Sequence, residues 1–167
     1  MKKKSALSGK RLNLRTSGRE ILPPLLDSFL ERINPVILNE RHQEPLHALR
    51  LRGKRVRYAM EMYLPAYGSS FAECLESVKQ ILVMLGRIHD IDINLPVLRQ
   101  YVRQVRHFNA GISDRALKIP AAGLRALILR FEHERHELFL SLYKQFSQWE
   151  EEQFRRRFIK SILERGD

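Results

Sequence analysis

The sequence predicts an all-α protein, an antiparallel helical bundle of about five to six helices. Three observations lead there. Strand signals are missing: no alternating β-branched run and no Asn-Gly or Asp-Gly hairpin turn occurs. Apolar residues recur at helical spacing, most clearly in Leu46, Leu49, Gly53, Val56, Met60 and Tyr63. Hydrophobic residues make up 44% of the 167 positions, enough to close one core and to exclude a wholly disordered chain.

The elements follow from local signals. A first helix is expected over Pro23 to Asn39, with Pro35 kinking or splitting it. A second runs from Glu44 to Ala66, with Pro45 in its first turn and Pro65 and Gly68 at its end. Ser69 or Ser70 caps a third, with Glu73 completing a capping box, and Gly86 closes it. Arg87–Asn94 then reads as a connection. Asn94 and Pro96 open a fourth helix that ends near Gly111, and residues 109–120 form a loop. A long fifth helix covers Ala121 to Gln148. A sixth covers Glu151 to Leu163, with acids at its start and cations later, as the helix dipole prefers.

The formal net charge is +11 and the pI about 10.2, which calls for a polyanionic partner. The charge is uneven. Residues 1–19 hold Lys2, Lys3, Lys4, Lys10, Arg11, Arg15 and Arg19 and no acid, so they read as a disordered basic tail ahead of a helical domain over residues 20–167. No apolar run approaches the roughly 20 residues of a bilayer span. The basic opening also lacks the apolar stretch of a secretory signal. Cys74 is the sole cysteine, which excludes an internal disulfide and a cysteine-rich zinc site and suggests a reducing compartment.

The second helix carries the functional signal. On a wheel set at Leu46, its apolar stripe falls between roughly 260° and 340°, and Arg57, Arg50, Lys54 and His47 fall between roughly 20° and 100°. Stacked at i, i+3, i+7 and i+10, with Glu61 next in the row, they form a ridge about 15 Å long beside the buried face. Arg52 and Arg55 point elsewhere, toward the outside. Like charges at this spacing repel, and partial burial raises the cost. The missing counter-charge comes from other helices or from a ligand, and a run of phosphates suits such a ridge. The plain alternative is a solvated basic face.

The segment LHALRLRGKRVRYAMEMY resembles the signature helix of the CHAD family, the conserved histidine α-helical domain. That family's pattern is matched here by His47, Arg50, Lys54, the Arg57-Tyr58 pair and Glu61, followed by Leu85-Gly86 and Asp90 in the next segment. The resemblance covers roughly residues 44–108. It implies a helical module that binds inorganic polyphosphate in a basic groove and is not itself an enzyme. His47, Arg50, Lys54 and Arg57 would be the binding residues, and Tyr58, Glu61 and Asp90 would support them. No cofactor or metal is implied. A full domain of that family has two similar halves, each with its own basic helix, whereas this chain shows one signature helix. The resemblance therefore implies half of a CHAD-type double bundle, and pairing of two chains in a homodimer would restore the second half.

Further candidates lie outside that helix. Arg99, Arg103 and Arg106 recur at i, i+4 and i+7 and offer a second rail, with a solvated face as the alternative. Arg135 falls in the apolar row Ile128, Phe131, Leu138, Leu142 and so points near the core or groove, where it either pairs with an acid or joins the binding site as an additional contact, with a snorkelling arginine as the alternative. Asp90 and Asp92 with His89, or His133 with His136, make only weak metal patterns; Asp90 is better read as a cap or as a partner for a ridge cation. Catalytic motifs are missing, and Cys74 sits among apolar neighbours as a core residue. The expected partner is inorganic polyphosphate or another polyanion, with no membrane insertion. The expected location is cytoplasmic, with association to polyphosphate granules left open. The alternative function is a nucleic-acid-binding or regulatory helical protein.

Overall fold

The computed structural model describes residues 14–37 and 40–164. Among them, six α-helices and no strand occur: α1 (Leu14–Leu30), α2 (Ile33–Ile37), α3 (Gln43–Tyr63), α4 (Ser69–Ala110), α5 (Ala122–Glu151) and α6 (Phe154–Leu163), with single 3-10 turns at Leu64–Ala66 and Arg115–Leu117. The all-α bundle expected from the sequence is what forms. α3 packs between α1 and α4, α5 lies along α4, and α6 returns to α1 and α4.

The first helix starts nine residues earlier than Pro23. Gly18, Leu22, Leu26 and Phe29 make one buried stripe at helical spacing, so the helix carries on through Pro23 and Pro24. Its first turns are tied to the far end of the chain. The guanidinium of Arg19 donates from Nε to the Ile162 carbonyl at 2.9 Å and from Nη2 to Leu163 O at 3.2 Å, and Arg15 donates to Glu164 O. These carbonyls belong to the last turn of α6, where no helical N–H remains to satisfy them. Residues 14–19 thus belong to the folded domain, not to a tail; the earlier part of the expected tail lies outside the described residues, as do residues 38–39 and 165–167.

The expected break between third and fourth helices does not occur. α4 is one 42-residue helix that passes through Gly86 and Pro96. A single long apolar row, Phe71, Cys74, Val78, Ile81, Leu85, Ile88, Ile91 and Leu95, is buried and outweighs the local breakers. Pro96 comes just after the last buried residue of α4 and is exposed, so its ring disturbs no core packing. Arg87–Asn94 is helix, and Asp90 caps nothing. The Ser70–Glu73 capping box does not form either; Gly68 is the N-cap and no side chain bonds there.

At the other end, residues 150–152 close α5 instead of opening α6. Gln153 reverses the chain in the left-handed region (φ 50°), and α6 begins Phe154-Arg155-Arg156-Arg157, the opposite of the dipole expectation. Acids compensate: Asp27 takes Arg155 in two bonds (2.6 and 2.9 Å), and Glu152 takes Arg157 at 2.7 Å. The Arg155 guanidinium beside it holds the Asp27 carboxyl below its ordinary value. The Trp149 ring stacks on Phe154 with centroids 4.0 Å apart, and Phe29 and Phe146 meet it edge-on. Cys74 is fully buried in this core, and burial pushes its thiol up.

Two glycines test the packing. A Cβ on Gly53 of α3 would stand 2.8 Å from a Leu82 methyl and 3.0 Å from the Phe29 ring, whereas one on Gly86 would meet nothing within 4 Å. Gly53→Ala is therefore expected to cost about 1–3 kcal/mol by overpacking. Gly86→Ala is expected to gain about 0.5–1 kcal/mol from helix propensity. Thermal denaturation of the two variants reads the difference, and equal shifts of Tm in one direction would contradict the packing described.

Candidate functional site

The stripe of α3 is buried as its spacing requires: Leu46, Leu49, Gly53, Val56, Met60 and Tyr63 face the core. The cationic row beside it therefore runs along the edge of the bundle. Arg50, Lys54 and Arg57 are half-buried, and His47 is exposed at the N-terminal end. Arg57 is held in place by its neighbours. Its guanidinium lies over the Tyr58 ring, 4.5 Å from the centroid, and its Nε is 3.7 Å from a Glu61 carboxylate oxygen. Glu61 thus acts within the row. Arg50 and Lys54 have no acid partner among the described residues.

α4 supplies the facing side. The rings of His47 and His89 lie 4.8 Å apart between centroids. A concavity of about 310 Å³ opens at the α3–α4 edge, lined by His47, His89, Gln43, Glu44, Asp92 and Ile93. Gly86 comes one helical turn before His89 on the same face of α4, and no side chain fills the space above it. Burial lowers the His89 pKa below its ordinary value. The positive charges of Arg50 and His47 push the same way, and Asp90 and Asp92 oppose them. The site therefore favours a neutral His89 when no anion is present.

The remaining sequence candidates divide by partner. Arg135 is only 9% exposed and donates from Nε to Asp92 Oδ1 at 2.6 Å and from Nη2 to Oδ2 at 3.4 Å; its Nη1 is 3.6 Å from Glu40. It points inward, as its place in the apolar row suggested, and it is neutralised there. Arg99 donates to Glu132 at 2.6 Å, and Arg87 takes Glu134 in two bonds, 2.5 and 2.9 Å. Arg99 thus forms part of an α4–α5 seam, while Arg103 and Arg106 are exposed. Asp90 is exposed and touches the site only through its field on His89. His136 bonds the Glu40 carboxylate (3.1 Å) and His133 is exposed, so the two do not converge. Arg52, expected outside, bonds the Ser28 side chain and fastens α3 to α1; Arg55 is exposed as expected.

Sequence reasoning weighs His89 only within a weak metal pattern and misses its place beside His47. His89 was placed in a connection, where it had no fixed direction. Once α4 is read as continuous, His89 stands one place beyond buried Ile88, just as His47 stands beside buried Leu46.

The family model of the CHAD domain matches residues 3–99, more than half of the chain. That stretch contains α3 with its cationic row and α4 up to Arg99, including Gly86 and His89. No curated protein and no solved structure matches the chain.

A lowered His89 pKa has a definite sign. The unfolded chain binds the proton more tightly, so the stability tied to neutral His89 is complete above about pH 6.5 and is lost as pH falls through the folded value. In an NMR titration the His89 ring is expected to titrate below about 6.5, with Arg50→Ala raising the midpoint. An unchanged midpoint in that variant would contradict the proximity of Arg50.

Proposed function

The chain belongs to the CHAD domain family, and from that premise we propose that it is a non-catalytic module that binds inorganic polyphosphate along α3. One observation carries the reading: half-buried Arg50 and Lys54 stand between His47 and Arg57 with no acid to neutralise them among the described residues. Five arginines elsewhere, Arg87, Arg99, Arg135, Arg155 and Arg157, each sit on a carboxylate. Arg55, Arg103 and Arg106 have none among the described residues and are exposed, whereas Arg50 and Lys54 are half-buried. A row of like charges at i, i+3 and i+4 repels itself by a few tenths of a kcal/mol per pair, and a phosphate chain laid along it removes that repulsion.

Arg50 and Arg57 grip phosphate oxygens through their planar forks, and Lys54 adds a point charge. Arg57 is pre-positioned by Tyr58 and Glu61, so little freedom is lost on binding. His47 and His89 become donors when protonated, and an anion beside them favours that form. Gly86, one turn before His89 on α4, leaves open space where a side chain would stand. Polyphosphate offers no bases, so affinity depends on length and salt and not on sequence. Arg103 and Arg106 stand on α4 past Leu95, away from the row. The reading also carries a cytoplasmic location, beside polyphosphate granules; among the described residues no helix is long and apolar enough to cross a membrane.

Pairing of two chains is the second part of the proposal. It is supported by the α4–α5 hairpin beyond Leu95, where Val97, Tyr101, Phe108 and Leu129 are exposed and a second copy would cover them.

The test is the double substitution Arg50→Ala/Arg57→Ala in the full chain, with long-chain polyphosphate as ligand. Affinity is expected to fall about 10- to 100-fold, and the slope of log K against log salt to shrink by about two. Wild-type affinity in the double variant would overturn the assignment to α3. Light scattering on the same wild-type samples reads the pairing: a two-chain mass is expected, and a one-chain mass at full affinity would reject it.

A further inference from the structure

Beyond Leu95 the last turns of α4 and the first turns of α5 leave the core and run on as a two-helix arm joined by residues 111–121. From residue 96 to residue 131 the sequence holds seven Arg or Lys and one acid, Asp114. That acid is committed to the backbone, since its side chain accepts from Ala116 N at 2.9 Å and caps the short 3-10 turn. At the tip, α4 contributes Arg106, the loop contributes Arg115 and Lys118, and α5 contributes Arg125. All four line one concavity of about 630 Å³, floored in part by Val102 and Val105. All four are exposed, and none has an acid partner among the described residues.

The loop that carries two of these cations is fixed in place. Asn109 of α4 donates from its side-chain amide to the Ile119 carbonyl at 2.9 Å, and its Oδ1 accepts from Ile119 N at 2.9 Å. This pair of hydrogen bonds closes the loop across ten residues and fixes the segment that carries Lys118 into the same hollow as Arg106. Three separate segments therefore converge four positive charges on one hollow, which a helix face with a simple run of charge does not do. The tip lies about 26 Å along α4 from His89, so it is separate from the row on α3. It also lies outside the stretch matched by the family model.

We propose that the arm tip is a second anion site, built for a compact oligophosphate carrying three or more negative charges. Arg106, Arg115 and Arg125 supply paired N–H donors to phosphate oxygens, and Lys118 supplies a mobile point charge. A monovalent or divalent anion meets only part of the cluster, so the site discriminates by charge density. This proposal does not rest on polyphosphate binding at α3, and each can fail without the other.

Tripolyphosphate is the probe, titrated into the isotopically labelled full chain at about physiological salt. The backbone amides of Asn109, Ala116 and Ile119 are expected to shift along one saturating curve, with orthophosphate at least tenfold weaker. Arg115→Ala/Arg125→Ala, two exposed positions, is expected to weaken that curve tenfold or more while leaving the amides around His47 and Arg50 as in the wild type. Arg50→Ala/Arg57→Ala is expected to leave the tip curve unchanged. The proposal is overturned if the tip amides do not respond, if the tip variant titrates like the wild type, or if orthophosphate binds as tightly as tripolyphosphate. Loss of the α3 response alone would count against the proposed function and not against the tip.

Discussion

The ion pair between Asp92 and Arg135 divides the molecule. It joins the middle of α4 to the middle of α5, and the buried residues of the two helices end there, at Leu95 on α4 and at Arg135 itself on α5. On one side lies an aromatic and aliphatic core, and on the other an arm in which no residue is buried from 96 to 134. A buried pair of this kind adds little net stability over an apolar one, but breaking it strands a charge, at about 3–5 kcal/mol. Its value is register: Asp92 meets Arg135 only when α4 and α5 are aligned one way. Glu40 reinforces the joint, meeting both Arg135 and His136.

The same pair has an electrostatic consequence for α3. Asp92 lines the concavity at the His47 end of the row, together with Glu44. Because Arg135 occupies both of its oxygens, and Gln43 the first of them as well, it is committed elsewhere. Acids such as Asp92, Glu132, Glu134 and Asp27 are spent on seams between helices, and uncovered cations cluster along α3 and at the arm tip. The pI of the chain conceals this division. Some of the positive charge in the domain is matched across helix seams, as at Arg87, Arg99, Arg135 and Arg155, and part of the rest is grouped along α3 and at the arm tip.

Membership of the CHAD domain family, the helical class, the α3 stripe and the row beside it were all legible in the sequence. A 21-residue helix with one apolar face leaves little freedom, because rotating it would bury arginine. The α4 helix was not legible. Gly86 and Pro96 are local breakers, and what overrides them is packing against α3 and α5, which no window of sequence contains. Losing the continuity of α4 also hid His89, since a residue in a loop has no face. The start of α1 was obscured for a related reason. Arg15 and Arg19 read as tail charges until α6 is seen to end against them, more than 140 residues later. Arg99 and Arg135 showed in the sequence as helix-spaced cations, but their partners Glu132 and Asp92 lie 33 and 43 residues away. Spacing gives the side of a helix and not what stands opposite.

A family of polyanions could satisfy an uncovered row of cations, and what separates inorganic polyphosphate from the rest is linear charge density without bases. The most direct measurement is a competition in which labelled long-chain polyphosphate is displaced from the full chain by unlabelled polyphosphate, DNA, RNA or tripolyphosphate at two salt concentrations. The account predicts that long-chain polyphosphate displaces the label at the lowest concentration in both salts, that affinity drops steeply with salt, and that no competitor is turned over. Displacement by DNA or RNA at equal or lower concentration, or dependence on base sequence, would contradict it.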